Sequence, residues 1–176
     1  MISKLRSSSI RTGLLLFWAI WLTLVASSNL ADALKRFGLL PEGWTFVSYN
    51  FELVAKTVGA HGVPVWVAAI LFGGVIVWEW LAAVLFWRAF GASRRGGEGL
   101  TPEAAQAFTV SLALFAAFLI ATEATVNYLT APTHMSVLTA QLATLLVIRG
   151  GGEGKKVAGA EGGEETTSFS IAERRG

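Results

Sequence analysis

The sequence predicts an all-α integral membrane protein, a four-helix bundle with an ordered outer loop between its first two transmembrane segments (TM1 and TM2). Hydrophobic residues make up 53% of the 176 residues and charged residues only 15%, with a mean hydropathy of +0.57. These values lie outside the range typical of soluble domains. The charges cluster between apolar stretches long enough to cross roughly 30 Å of hydrocarbon. We therefore expect residues 1–149 to form the transmembrane domain.

The first apolar stretch predicts TM1 over about residues 12–32, after a short basic segment. A secretory signal peptide is the alternative, because Ala26 and Ser28 precede Asn29 in a pattern that resembles a cleavage site. Trp18 and Trp21 lie within the stretch and are unusual in a signal peptide, which favours a retained helix.

Three further spans follow, and we expect the chain to end in a disordered tail. The second, TM2, is predicted over about 63–87, and the Thr101-Pro102-Glu103 sequence indicates a capped helix start for TM3 over about 102–128. TM4, over about 132–149, is short for a span. It carries the polar residues Thr139, Gln141 and Thr144, which predicts that it is covered by protein. Residues 150–176 are rich in Gly and Glu and should form a disordered cytoplasmic tail.

The segment 31–62 should be an ordered loop rather than a flexible linker. Pro41-Glu42-Gly43 marks a turn, and apolar residues after it are spaced as in a short amphipathic helix: Phe46, Phe51, Leu53, Val54 and Val58. Such a helix lies along the membrane interface or caps the helix ends, and the pattern does not distinguish the two.

The distribution of Lys and Arg predicts the orientation. Eleven of them lie on the side of the two termini and the 88–101 loop, against Lys35, Arg36 and Lys56 on the other side. The positive-inside bias then places both termini in the cytoplasm of a cell whose inner (plasma) membrane holds the protein. The lipid bilayer is thus one expected partner, and a net charge of +2 gives no reason to expect nucleic acid.

Two acids lie inside predicted spans, Glu79 in TM2 and Glu123 in TM3. An acid within the membrane is costly unless it is paired or neutral, so each is a candidate functional residue. Counting along the helices places Glu79 about two thirds of the way to the cytoplasm and Glu123 near the outer face. Glu79 has no hydrogen-bond or ion-pair partner within its own helix. We expect Gln106, Thr109, Arg88 or another subunit to provide one.

A second candidate site is a polar cluster predicted at the outer membrane face. Its members come from the outer ends of several spans: Asn29, Asp32, Glu123, Asn127 and His134. The cluster is either a pocket for an ion, a proton or a quinone headgroup, or a set of interhelical hydrogen bonds. His61 and His134 lie on the same outer side and provide the minimum pair for haem b ligation. A zinc site would need a third ligand such as Asp32 or Glu123.

The stretch SSNLADALKRFG, the large outer loop and the Glu79-Trp80-Leu81-Ala82-Ala83 stretch of TM2 resemble a family of small four-helix bacterial membrane proteins of unknown function. The resemblance implies the topology and no activity. Cys is absent, which excludes disulfides, thiolate nucleophiles and iron–sulfur clusters, and no nucleotide or hydrolase motif is present.

Three functions remain as hypotheses. The first is a non-catalytic subunit, an accessory or anchor component of a larger membrane complex, with other membrane subunits as partners and no cofactor of its own. The second is an electron-transfer anchor that binds haem or quinone. The third is a small proton or cation transporter or channel using Glu79 and Glu123.

Overall fold

The computed structural model describes residues 2–96 and 99–150, the first seven as backbone only. These residues form helices connected by loops, in the order α1 (Ile2–Arg36), α2 (Asn50–Gly59), α3 (Val65–Arg94), α4 (Pro102–Thr125) and α5 (131–150), with one 3₁₀ turn at Tyr128–Thr130 before α5. Four segments are long and apolar enough to cross a membrane, namely Ser9–Arg36, α3, α4 and Tyr128–Gly150. The predicted all-α four-helix membrane bundle is confirmed.

The four long helices run up and down and pack around one core. Helix α3 packs against α1 on one side and α4 on the other. Helix α5 reaches both α1 and α4, because Trp18 Nε1 donates to Thr144 Oγ1 at 3.1 Å and Gln141 Nε2 donates to Ser111 Oγ at 2.6 Å. We call the end where α1 begins, α3 ends and α4 begins the N-terminal end, and the opposite end the α2 end.

Small residues and aromatic rings fill the core between these helices. Ala82, Ala89 and Ala107 have no exposed surface, which lets the α3 and α4 backbones approach closely. Phe86 of α3 and Phe108 of α4 meet edge to face with ring centroids 5.0 Å apart, and Trp21 reaches across to Phe115 at 6.1 Å. The apolar side chains on the outer faces of the helices remain exposed, as a lipid-facing surface requires.

Helix α3 extends beyond the predicted span 63–87 at its C-terminus, which lies at the N-terminal end of the bundle. The residues 91–94, predicted to belong to a basic loop, continue the helix. Ser93 is buried there, and its hydroxyl lies 2.7 Å from Thr12 Oγ1 and accepts a hydrogen bond from Arg11 Nε. Packing on α1 therefore extends α3 beyond its apolar window, and the break comes at Gly96, whose φ is 92°.

The ends of α4 follow from two local features. Its N-cap is Thr101, whose side chain accepts from Ala104 N, and Pro102 occupies the first turn, as the sequence predicts. The helix ends at Thr125, before the predicted residue 128, because Val126 adopts a left-handed conformation with φ 51°.

Of the polar α5 residues, Gln141 and Thr144 are buried within this chain and Thr139 is exposed. The predicted tail, residues 150–176, lies outside the described residues from 151 onward.

The loop between α1 and α3 contains the predicted amphipathic helix as α2, and it packs on the bundle. Phe51 is 6% exposed and meets Phe72 of α3 edge to face at 5.8 Å. The guanidinium of Arg36 lies over the Phe51 ring, 5.5 Å from its centre. Helix α2 therefore covers the ends of α1 and α3.

The close contact between α3 and α4 predicts a position-specific response to side-chain size. We expect Ala107→Leu to destabilise the protein by about 1–3 kcal/mol, because the added carbons overpack a filled core. Ala113→Leu, on the exposed face of the same helix, is the matched control and should change stability little. Unfolding in mixed detergent micelles measures both. Equal effects of the two substitutions would contradict the observed helix faces.

Candidate functional site

A buried polar contact inside the bundle joins Asn29 of α1 to Glu79 of α3. Asn29 Nδ2 lies 2.8 Å from each carboxylate oxygen of Glu79 and donates to both. Asn29 is 2% exposed and Glu79 is 3% exposed, so the pair is sealed among packed helices. The contact provides a hydrogen-bond donor for the Glu79 carboxylate, whose partner was not evident from the sequence.

The position of Glu79 differs from the sequence prediction. Asn29 lies seven residues before the end of α1, about 10 Å below it, and the hydrogen bonds place Glu79 at the same level. Glu79 thus lies in the half of the bundle nearer α2, not two thirds of the way to the other side. The prediction counted from a span that ended at residue 87, whereas α3 continues to Arg94 and Glu79 is near its middle. Neither Gln106, Thr109 nor Arg88 is its partner.

Asp32, one turn beyond Asn29, holds the start of α2. Its Oδ2 accepts from the backbone N–H of Phe51 at 2.8 Å and from Ser48 Oγ at 3.1 Å. These bonds replace the missing N-cap of α2, whose cap residue Tyr49 makes no side-chain cap bond. A carboxylate on one transmembrane helix therefore fixes the helix that covers it.

A chain of hydrogen bonds connects Glu79 to the surface at the α2 end. Asn50 is exposed, and its Nδ2 donates to Asn29 Oδ1 at 2.8 Å, while Asn29 donates onward to Glu79. Tyr49, between Ser48 and Asn50, adopts a left-handed conformation with φ 60°. This conformation is unfavourable for a residue with a Cβ atom, and here it turns the side chains on both sides of Tyr49 toward α1.

No positive charge balances the acid within the described chain. Both hydrogen bonds that the described residues make to the carboxylate come from the neutral amide of Asn29. A buried carboxylate that keeps its charge costs several kcal/mol without a compensating cation. The site therefore matches the chemistry of a small cation or a proton.

The remaining members of the predicted outer cluster do not join this site. Glu123 lies on an exposed face of α4 and accepts from the Tyr128 hydroxyl at 3.2 Å. Asn127 Nδ2 donates to Thr57 Oγ1 at 2.7 Å and so fastens α2 to the turn before α5. Glu123 and Asn127 thus make separate contacts and do not reach the Asn29–Glu79 pair.

The two histidines contact α4 at different levels. His61 Nε2 lies 3.2 Å from the Thr125 carbonyl oxygen, whereas the His134 ring stacks on Phe118 at 4.7 Å. These α4 positions are seven residues apart, about 10 Å along the axis, which does not favour one haem between the rings. His134 Nδ1 is buried, and none of the residues that the structure describes forms a hydrogen bond with it. No group of three metal-ligating side chains, such as the zinc set considered above, occurs among residues 2–96 and 99–150.

Sequence analysis missed Ser48 and Asn50 as parts of the site. A signal for them exists, because polar residues directly before an amphipathic run are typical of helix starts. The direction of their side chains depends on the left-handed Tyr49, which the sequence does not indicate. The Trp18–Thr144 and Gln141–Ser111 pairs were also missed, since pairing between distant helices leaves no local pattern.

Comparison with known proteins adds no relative to this description. No protein-family model, curated protein or solved structure matches the chain.

The Asn29–Glu79 contact predicts strong non-additivity. We expect Asn29→Leu alone to destabilise the protein by about 1–3 kcal/mol, because it leaves a buried carboxylate without its donor. The double variant Asn29→Leu with Glu79→Leu should be more stable than Asn29→Leu alone, since it removes both polar groups. Unfolding in mixed detergent micelles measures the stabilities of wild type, the two single variants and the double variant, which together form a double-mutant cycle. Additive effects of the two substitutions would show that the contact does not form.

Proposed function

We propose that this chain is a small, non-catalytic integral membrane protein that binds and exchanges a proton or a monovalent cation at Glu79 and Asn29. The observation that carries the proposal is the buried Glu79 carboxylate, held by one neutral amide and by no basic side chain of the described chain. An intramembrane acid of this kind typically marks an ion or proton pathway.

The ligand chemistry around Glu79 supports a small cation. Oxygen atoms are the preferred ligands of hard cations, and the site offers both oxygens of Glu79 together with the side-chain oxygen of Asn29. A half-turn of the Asn29 amide would present that oxygen to a cation in place of its Nδ2, and it would break the hydrogen bond that Oδ1 accepts from Asn50. Asp32 lies one helical turn away and adds a second carboxylate toward the α2 end.

The route to the site lies at the α2 end. Asn50 is exposed and is hydrogen-bonded to Asn29, so a displacement of α2 would open Glu79 to that side. The positive-inside bias favours a cytoplasmic N-terminal end in a cell's inner membrane. We therefore propose that exchange takes place with the outer side.

Flux through reconstituted protein tests this proposal. Wild-type protein in liposomes should conduct protons or Na⁺ down an imposed gradient, as read by an entrapped pH-sensitive or Na⁺-sensitive dye. Glu79→Gln keeps an acceptor for Asn29 but removes the charge, so the flux should fall about tenfold or more, which corresponds to a ligand worth about 1.4 kcal/mol. Glu123→Gln, at the exposed acid, is the matched control and should conduct normally.

Flux that is the same in wild type and Glu79→Gln would contradict the proposal. Absence of any flux above that of empty liposomes, from protein shown to be folded, would contradict it as well.

An accessory subunit is the second candidate, and a separate observation favours it. The loop between α1 and α2 exposes large apolar side chains outside the spanning helices, including Phe37 at 62% and Leu39 at 69%. The turn before α5, at the same end, exposes Leu129 at 82%. Exposed apolar surface of this kind is typical of a contact with another protein or with the membrane interface. We propose a second membrane subunit as the occupant in this case.

This candidate predicts a stoichiometric partner that depends on the loop. Mild-detergent purification from native membranes should recover the partner with wild type and lose it with Phe37→Ser plus Leu39→Ser. Leu100→Ser removes an exposed apolar side chain at the N-terminal end and should retain it. A monomer without a stoichiometric partner would contradict the accessory role and leave the flux proposal standing.

A further inference from the structure

A groove of about 400 Å³ opens on the exposed face of α3, at the N-terminal end of the bundle. It is lined by Val84, Trp87, Arg88, Gly91, Arg95 and Glu103. The groove is separate from the Glu79 site, which lies in the other half of the bundle.

The groove is apolar at one end and cationic at the other. Val84, Arg88, Gly91 and Arg95 follow one another at helical spacing, so they form a stripe along one face of α3 about 16 Å long. Val84 lies within the apolar span and is exposed, whereas Arg95 is the residue after the last helical one. The stripe thus crosses from the hydrocarbon level to the interface.

Both arginines line the groove, and Arg95 lies close to Gly91. Arg95 folds back along the helix, so that its Nη1 lies 3.8 Å from the point where a Cβ of Gly91 would stand. Arg88 lies one turn before Gly91 and lines the same groove. Two basic residues therefore line one groove, and the absence of a side chain at Gly91 leaves room beside the Arg95 guanidinium.

Trp87 gives the groove a fixed aromatic wall. Its Nε1 donates to Thr23 Oγ1 of α1 at 3.1 Å, and its ring meets Phe90 edge to face at 5.9 Å. Tryptophan is the aromatic residue most typical of the lipid headgroup level. The hydrogen bond to α1 thus holds the indole in place beside the groove.

We propose that this groove binds one anionic phospholipid, with its phosphate between Arg88 and Arg95 and an acyl chain along Trp87 and Val84. Charge complementarity selects an anionic headgroup, because the phosphate meets two guanidinium groups. The apolar end selects a lipid over free phosphate, because only a lipid has a chain to cover Val84.

Glu103 lines the groove as well and opposes this binding. Its carboxylate repels a phosphate and reduces the net positive charge of the site. Removal of the Glu103 carboxylate should therefore strengthen lipid binding. A groove with a purely structural role would not show this increase.

Native mass spectrometry of the full chain in detergent micelles, with added phosphatidylglycerol or phosphatidylcholine, tests the proposal. Wild type should retain one phosphatidylglycerol in preference to phosphatidylcholine, and Arg88→Gln plus Arg95→Gln should weaken phosphatidylglycerol binding by about 30-fold. Arg94→Gln is the matched control, because Arg94 lies over Phe90 instead of in the groove, and it should bind as wild type does. Glu103→Gln should bind more tightly.

Equal weakening by Arg94→Gln would overturn the proposal in favour of a nonspecific surface charge effect. Equal retention of the two lipids by wild type would overturn it too. Complete displacement of the lipid by millimolar inorganic phosphate would show that the groove recognises a free anion and not a phospholipid.

Discussion

A carboxylate buried inside a membrane bundle must find a donor, and in this protein the Asn29–Glu79 contact meets that requirement. The two hydrogen bonds set the register of α1 against α3, and the Thr12–Ser93 and Trp87–Thr23 contacts further along agree with it. An apolar pair in the same place would pack the helices without fixing how far one is displaced along the other. The polar contact therefore carries specificity that the surrounding alanines and rings lack.

The same register explains the position of α2. Asn29 and Asp32 lie on adjacent turns of α1, so α2 meets both as it returns to the bundle. Asp32 fixes the backbone at Phe51, and Phe51 in turn packs on Phe72. One end of the bundle is thus closed by a short helix that rests on the residues it covers. This arrangement connects the internal acid with the protein surface at the α2 end, and the proposed exchange of a small cation rests on it.

Much of the fold follows from the sequence because lipid imposes a strong constraint on composition. Apolar runs, the Thr101-Pro102-Glu103 start and the amphipathic period after Tyr49 predict four spans and one short helix. The pairing of Glu79 was not predictable in this way, since it depends on the register of α3 against α1, to which contacts between distant residues such as Thr12–Ser93 contribute. Likewise, the sequence does not show that Asn29 contacts Glu79 whereas Glu123 contacts Tyr128, because both outcomes depend on how the helices pack.

Infrared difference spectroscopy of the protein in bilayers tests most directly whether Glu79 exchanges a cation. The account predicts a carboxyl signal that is absent from Glu79→Gln and changes reversibly when the proton or Na⁺ concentration is changed. The signal should persist in Glu123→Gln. A Glu79 signal that does not respond to either cation would contradict the account and would show that the acid serves only to join two helices.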